Sequence, residues 1–257
     1  MGTNSHYWKD KTNQTNRAIE HNNYIASTYQ NEINESIQNT RIYDEDVYFN
    51  TITKPEIEVI NTDTVDALFR YHGKCCVLNF ASYKQPGGGY LSGSTAQEEC
   101  ICHESTLYPI LAAQDNNFYS YNRKNLNKAM YNNRAIYSPK VVFEHNGRRK
   151  KADVITCASP NFSAASKYHL VSNEENKYYL TKRINFILSI IKQENVDVAI
   201  LGAFGCGVFG QNPKDVAEIF KSEIYNVFGS SNKTKFVFAI IDNVGNNFNT
   251  FKSILEL

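Results

Sequence analysis

Two short, nearly unbroken apolar runs constrain this chain more than any other feature. They are Cys75–Phe80 (Cys-Cys-Val-Leu-Asn-Phe) and Val196–Ala203. Runs of this length without polar alternation read as strands covered on both faces, which places them inside a sheet flanked by helices. Each run ends in a glycine-rich loop that leads into a helical pattern. The shorter runs Ile57–Ile60, Tyr137–Glu144, Ala152–Ser159 and Phe236–Asp242 read as further strands. Asn146-Gly147 falls between two of them and is a strong hairpin signal. Helical patterns cover Asp63–Tyr71, Ala96–Ala113 and Asn173–Glu194, and a fourth starts at Pro213, a residue suited to the first helical position, and runs to about Val227. The expected fold is α/β, a mixed β-sheet sandwiched between helices.

The first 50 residues differ from the rest. Residues 1 to about 15 carry no pattern and are expected to be disordered. From Asn16 to Asn39, Ile25, Tyr29, Ile33 and Ile37 recur every fourth residue, as on the buried stripe of a helix. We therefore expect an N-terminal extension over 1–50, packed on a single main domain over 51–257. A chain of 257 residues is long enough for one large core.

Charge and cysteine usage narrow the function. The net charge is +1, so no global basic field gathers nucleic acid. The basic run Arg148-Arg149-Lys150-Lys151 reads as a solvated turn. The six cysteines include no CxxC pair. Cys100, Cys102 and His103 lie on one expected helix without a second ligand cluster, so no metal is expected there. Reduced thiols fit a cytoplasmic location, or a nuclear one in a eukaryote. The N-terminus lacks an apolar signal region, His6 breaks the myristoylation pattern, and no run is long enough to span a bilayer.

Two loops carry the chemistry, and both sit at strand ends, where α/β sheets bind ligands. The first contains Gly87-Gly88-Gly89, then seven residues, then Gln97-Glu98-Glu99. Three adjacent glycines let backbone touch a ligand closely. Thr95 and Glu98 have capping-box spacing, so Glu98 can serve a helix cap or a site, and the spacing leaves both open. The helix dipole lowers a carboxyl pKa whereas burial or a neighbouring carboxyl raises it; a general acid needs the latter. The second loop is Gly202-Ala203-Phe204-Gly205-Cys206-Gly207-Val208-Phe209-Gly210. Bare backbone N–H groups here, just before the helix at Pro213, suit a phosphate or diphosphate. It is not a Walker loop, because no Gly-Lys-Ser/Thr follows. Phe209 can cover a sugar ring or anchor the core.

Together these loops resemble poly(ADP-ribose) glycohydrolases. The triple glycine followed by Gln97-Glu98-Glu99 is similar to that family's signature, and Leu78-Asn79-Phe80-Ala81-Ser82 with Pro86 resembles its microbial branch. Gly202–Gly210 resembles the family's diphosphate loop, and Thr156–Asn161 another of its segments. The resemblance implies a macrodomain-like catalytic domain over 51–257. It implies Glu99 as acid/base, with Glu98 and Gln97 supporting it or the adjoining ribose. It implies Gly87, Gly88 and Gly89 against diphosphate and ribose, and Asn79 on the distal ribose. Gly205, Cys206, Gly207 and Val208 would bind diphosphate by backbone N–H, and Phe209 would pack on ribose.

The implied reaction is hydrolysis of the ribose–ribose bond of poly(ADP-ribose), releasing ADP-ribose without a cofactor. Neighbouring glutamates have Cα atoms about 3.8 Å apart and cannot flank one bond as paired glycosidase carboxylates do. A single acid/base therefore fits better. The implied partners are poly(ADP-ribose) or ADP-ribosylated macromolecules, with no membrane and no strong nucleic-acid footprint. Two alternatives are removal of single ADP-ribose units from protein or nucleic acid, and a non-catalytic ADP-ribose-binding module. The Gln97-Glu98-Glu99 triplet argues against the latter, which needs no acid.

Overall fold

The computed structural model describes residues 11–44, 55–228, 234–241 and 246–256. The chain opens with α1 (Lys11–Thr28) and α2 (Gln30–Asn39), separated by a kink at Tyr29. Helix begins at Lys11, so the expected disorder over 11–15 is not found, and residues 1–10 lie outside the described residues. The expected stripe faces inward, with Ile25, Tyr29 and Ile33 all buried.

Seven strands follow one another as β1 (Arg41–Tyr43), β2 (Glu56–Ile60), β3 (Cys75–Phe80), β4 (Ala135–His145), β5 (Arg148–Cys157), β6 (Val198–Leu201) and β7 (Lys235–Ala239). They form one mixed sheet in the order β1-β4-β5-β3-β6-β7-β2. β3 lies at the centre, parallel to β5 on one side and β6 on the other. Its first five residues are buried, as the unbroken apolar run requires. The β4–β5 hairpin turns at Asn146-Gly147, both with positive φ (50° and 72°), as the left-handed turn demands.

Helices cover both faces. α1 and α2 lie on one face, with α3 (Thr64–Leu68), α4 (Gln97–His103) and α5 (Leu107–Ala112), around a core that includes Ile25, Val77, Tyr90 and Phe143. A π-helical turn (Asp115–Tyr119) leads into α6 (Ser120–Lys124), and α7 (Phe162–His169) follows β5. The other face is packed by α8 (Asn173–Gln193), α9 (Pro213–Phe228) and α10 (Asn247–Leu255), around Leu78, Ile187, Phe220 and Phe238.

Three local expectations change. The helix expected over 96–113 is two, because Glu104–Thr106 turns aside to meet β4: Thr106 N donates to Val142 O (2.9 Å) and Glu144 N to Glu104 O (2.9 Å). The run at 148–151 is exposed at Arg148, Arg149 and Lys151, as expected, but is strand and not turn. Its residues lie on β5, Lys150 Nζ donates to Leu68 O (2.8 Å), and Arg148 lies over the Phe69 ring (5.0 Å). The last strand ends at Ala239, and Asp242 lies outside the described residues.

Candidate active site

α4 starts at Gln97, and its first three side chains fan out because each residue turns the helix by about 100°. Gln97 faces β3. Its Oε1 accepts from Phe80 N (2.8 Å), and its Nε2 donates to Leu78 O (2.8 Å) and Thr64 Oγ1 (3.2 Å). Glu98 faces the exit of β3 and accepts from Ser82 N (2.7 Å) and Asn79 Nδ2 (3.2 Å). Glu99 faces the triple-glycine turn and accepts from Gly89 N (2.7 Å) through Oε1. Its second oxygen, Oε2, is buried without a hydrogen-bond partner.

The expected capping box does not form. Ala96 is the N-cap and no side chain caps the helix, because Glu98 is held by Ser82 and Asn79 instead. Burial dominates the titration of Glu98. It pushes the carboxyl up to about 8, with Glu99 adding to the rise and the bonds from Ser82 and Asn79 opposing it. A neutral Glu98 adds no negative charge beside Glu99.

Gly88 closes the turn over both carboxyls. Its φ is +57°, and a Cβ there would stand 2.6 Å from Glu99 Oε1 and 2.9 Å from Glu98 Oε2. The other two glycines are required by the protein's own packing. A Cβ on Gly87 would meet the Tyr108 ring at 2.8 Å, and one on Gly89 would meet Ser94 Oγ at 2.2 Å.

The second loop meets the first. A cleft of about 330 Å³ is bounded on one side by Ser82, Gly88, Glu98 and Glu99, and on the other by Gly205, Gly207, Val208 and Phe209. The backbone N–H of Cys206 donates to Ala203 O (3.1 Å), so it is not free for a ligand. Burial pushes the Cys206 thiol up to about 12, away from nucleophilic chemistry. The N–H groups of Gly207, Val208 and Phe209 find no acceptor among the described residues. A Cβ on Gly207 would meet nothing within 4 Å, so the protein itself does not demand glycine there. The α9 N-terminus contributes less than expected. Asn212 Oδ1 accepts from Lys214 N (2.9 Å), and no residue of α9 lines the cleft.

Two further side chains are held from below the cleft. Asn79 has no exposed surface and lies beneath Glu98, also reaching Thr156 Oγ1 (3.3 Å), while its Oδ1 is buried without a hydrogen-bond partner among the described residues. Gln97 spends both ends of its amide on β3 and α3. Phe209 lines the cleft and also stands edge-on to Tyr131 (6.2 Å between centroids).

A second cavity, of about 710 Å³, adjoins the cleft through Phe80, Gln97 and Ala203 and extends to Asp63, Ile241 and Asn247. Sequence reasoning missed it. Asp63 is visible as the cap of α3, accepting from Asp66 N (2.7 Å), but no local pattern marks Ile241 or Asn247 as its neighbours. Ser82 and Ser159 also line the cleft, and no local pattern beyond the family resemblance marks them.

Comparison with known proteins agrees with this geometry. The sequence model of the microbial-type PARG catalytic domain matches residues 12–146, just over half of the chain. No curated protein matches by sequence. Among solved structures, the poly(ADP-ribose) glycohydrolase of Thermomonospora curvata bound to the inhibitor ADP-HPD is 25% identical with a TM-score of 0.81, covering 94% of this chain and 99% of its own. The Deinococcus radiodurans poly(ADP-ribose) glycohydrolase in complex with ADP-ribose is 27% identical with a TM-score of 0.74, covering 87% and 97%. With a mixed sheet, a carboxylate-lined cleft and this match, the chain belongs to the microbial-type poly(ADP-ribose) glycohydrolase catalytic-domain family.

Proposed function

We propose that Glu99 is the acid/base with which this poly(ADP-ribose) glycohydrolase cleaves the ribose–ribose bond. The observation that carries the assignment is the Glu99 carboxyl itself. One oxygen is fixed by Gly89 N, and the other is buried, unpartnered and beside the cleft. A buried polar atom without a partner costs stability, and such atoms persist where a ligand supplies the missing bond.

In this reading the terminal ADP-ribose lies along the sheet edge. Its adenosine occupies the larger cavity beside Asp63 and Ile241, and its diphosphate rests on the N–H groups of Gly207, Val208 and Phe209. The reacting ribose sits between Phe209 and Glu99. Protonated Glu99 delivers its proton through Oε2 to the leaving 2′-oxygen as the bond to C1″ breaks. The electron pair leaves with that oxygen, and C1″ gains oxocarbenium character. The resulting carboxylate then takes a proton from water as its oxygen bonds to C1″. The proton count closes, and one carboxyl serves both steps. Glu98 orients the catalytic turn of α4 and stays neutral.

Glu99→Gln should lower kcat on poly(ADP-ribose) by about 10²–10⁴-fold, the usual weight of general acid–base catalysis. It should leave ADP-ribose binding by calorimetry intact. Near-wild-type release of ADP-ribose from polymer, followed by chromatography, would remove Glu99 from the mechanism.

A further inference from the structure

The sheet edge that carries the cleft does not end there. The larger cavity spans the ends of β7, β6 and β3, at Ala239, Ala203 and Phe80. The cleft spans β6, β3 and β5, at Ala203, Ser82 and Ser159. The next strand along this edge is β4, whose Ala135 pairs with Cys157 of β5. With adenosine in the larger cavity and C1″ at Glu99, the leaving part of the substrate emerges over the segment that feeds β4.

That segment is unusual. Asn127, Lys128 and Ala129 have φ of 45°, 51° and 64°, and Tyr131 has 60°, although none is glycine. Left-handed conformation is rare for such residues and persists only where the surroundings impose it. Here they do. The buried guanidinium of Arg183 donates to Tyr131 O (3.1 Å), Met130 O (3.4 Å) and Ala158 O, and Asn161 N donates to Ala129 O (2.9 Å). The turn is also tied to the triple-glycine loop. Asn122 Nδ2 donates to Tyr83 O (2.9 Å), Arg123 Nη1 to Lys84 O (3.1 Å), and the Tyr83 ring stacks on Tyr131 (4.0 Å).

This bracing leaves Lys84, Arg123, Lys124 and Lys128 exposed around one stretch of rim. Arg123 is paired with Asp115 (2.8 Å), whereas Lys84, Lys124 and Lys128 have no carboxylate partner among the described residues. In a chain of net charge +1, three lysines without a carboxylate partner on the two segments so tied together are a local field for an anion.

We infer that the braced turn at 126–131 and Lys84 form a docking rim for the next unit of the polymer, with its diphosphate against Lys84 and Lys128. This rests on the proposed glycohydrolase reading and adds to it the residues that hold the unit beyond the scissile bond. The occupant is an ADP-ribose polymer, because the rim is continuous with the cleft and its charge complements one diphosphate per unit.

The test is the double variant Lys84→Glu/Lys128→Glu, with Lys84→Glu alone should the double variant fold poorly. Hydrolysis of polymer of about twenty units is compared with hydrolysis of the ADP-ribose dimer, alongside calorimetry with ADP-ribose. We expect KM to rise roughly tenfold for both the long polymer and the dimer, which already carries the next unit and its diphosphate, with kcat and ADP-ribose affinity unchanged. The dependence of log KM on log salt should weaken by about one per lysine. No change in KM for dimer or polymer, a rise for the long polymer alone, or a matching loss of ADP-ribose affinity would overturn the rim. So would loss of oligoadenylate binding with polymer kinetics intact, which would make the partner a nucleic acid. Absence of dimer hydrolysis and ADP-ribose binding in the unmutated protein would instead overturn the glycohydrolase reading.

Discussion

At the scale of single residues, the site depends on atoms that are missing as much as on those present. Gly88 has no Cβ because both carboxyl groups occupy that space, and its φ of +57° strains any other residue. Gly88→Ala should therefore displace Glu99 from the Gly89 N–H and lower kcat by at least about tenfold, since small misplacements at a reacting centre are costly. Steady-state kinetics on polymer would show this, and wild-type turnover would mean that the turn yields without moving the acid. The importance of the triple glycine is legible in the sequence, but its division of labour is not. Gly87 and Gly89 make room for Tyr108 and Ser94, residues whose approach depends on where α5 and the loop after Tyr90 settle.

At the scale of elements, the N-terminal helices brace the catalytic loop. Tyr90 follows Gly89 directly and is fully buried, and its hydroxyl reaches Ala18 O (3.2 Å) and Asn22 Oδ1 (3.3 Å) on α1. Its ring packs on His103 (4.6 Å) and Tyr108 (5.0 Å). Tyr90→Phe keeps the ring contacts and deletes the hydroxyl bonds. That should cost about 1 kcal/mol and lower Tm by about 2–4 °C. Melting at the wild-type temperature would show that α1 is held by packing alone. The helical stripe of this extension is plain from the recurrence of Ile25, Tyr29 and Ile33. Its contact with Tyr90 is not, because the two segments are some seventy residues apart in the chain.

At the scale of the whole molecule, buried ionisable groups couple folding to pH. Glu98 titrates near 8 when folded, well above its ordinary value of 4.5, chiefly because it is buried. Between these values the folded state holds a proton that the unfolded chain releases. The contribution of Glu98 to stability is thus full below about pH 4.5 and is lost as pH rises towards 8. His103 has the opposite effect. Burial lowers it to about 4, so its contribution is lost as pH falls. Comparing Glu98→Gln with the unmutated protein isolates the first effect. Urea melts at pH 5.5, 7 and 8.5 should show a smaller loss of stability with rising pH in the variant. Parallel curves would mean that Glu98 is ionised in the folded protein at neutral pH.

The sequence by itself determined the layers, the central strands and the two loops, because hydrophobic period and glycine placement are local properties. Cys75–Phe80 was readable as a strand to the residue, since an unbroken apolar run must be covered on both faces. The sequence also singled out the triplet Gln97-Glu98-Glu99, from which we propose the acid. Only the tertiary structure decided how that triplet is used. It turned Gln97 to β3 and Glu98 to Asn79 and Ser82, and left Glu99 alone with a buried oxygen facing the cleft. It also spent the Cys206 N–H inside its own loop and set the larger cavity between segments almost two hundred residues apart. Such choices depend on which donors and acceptors meet once the sheet has formed, and hydrogen bonds between distant segments leave no trace in local spacing.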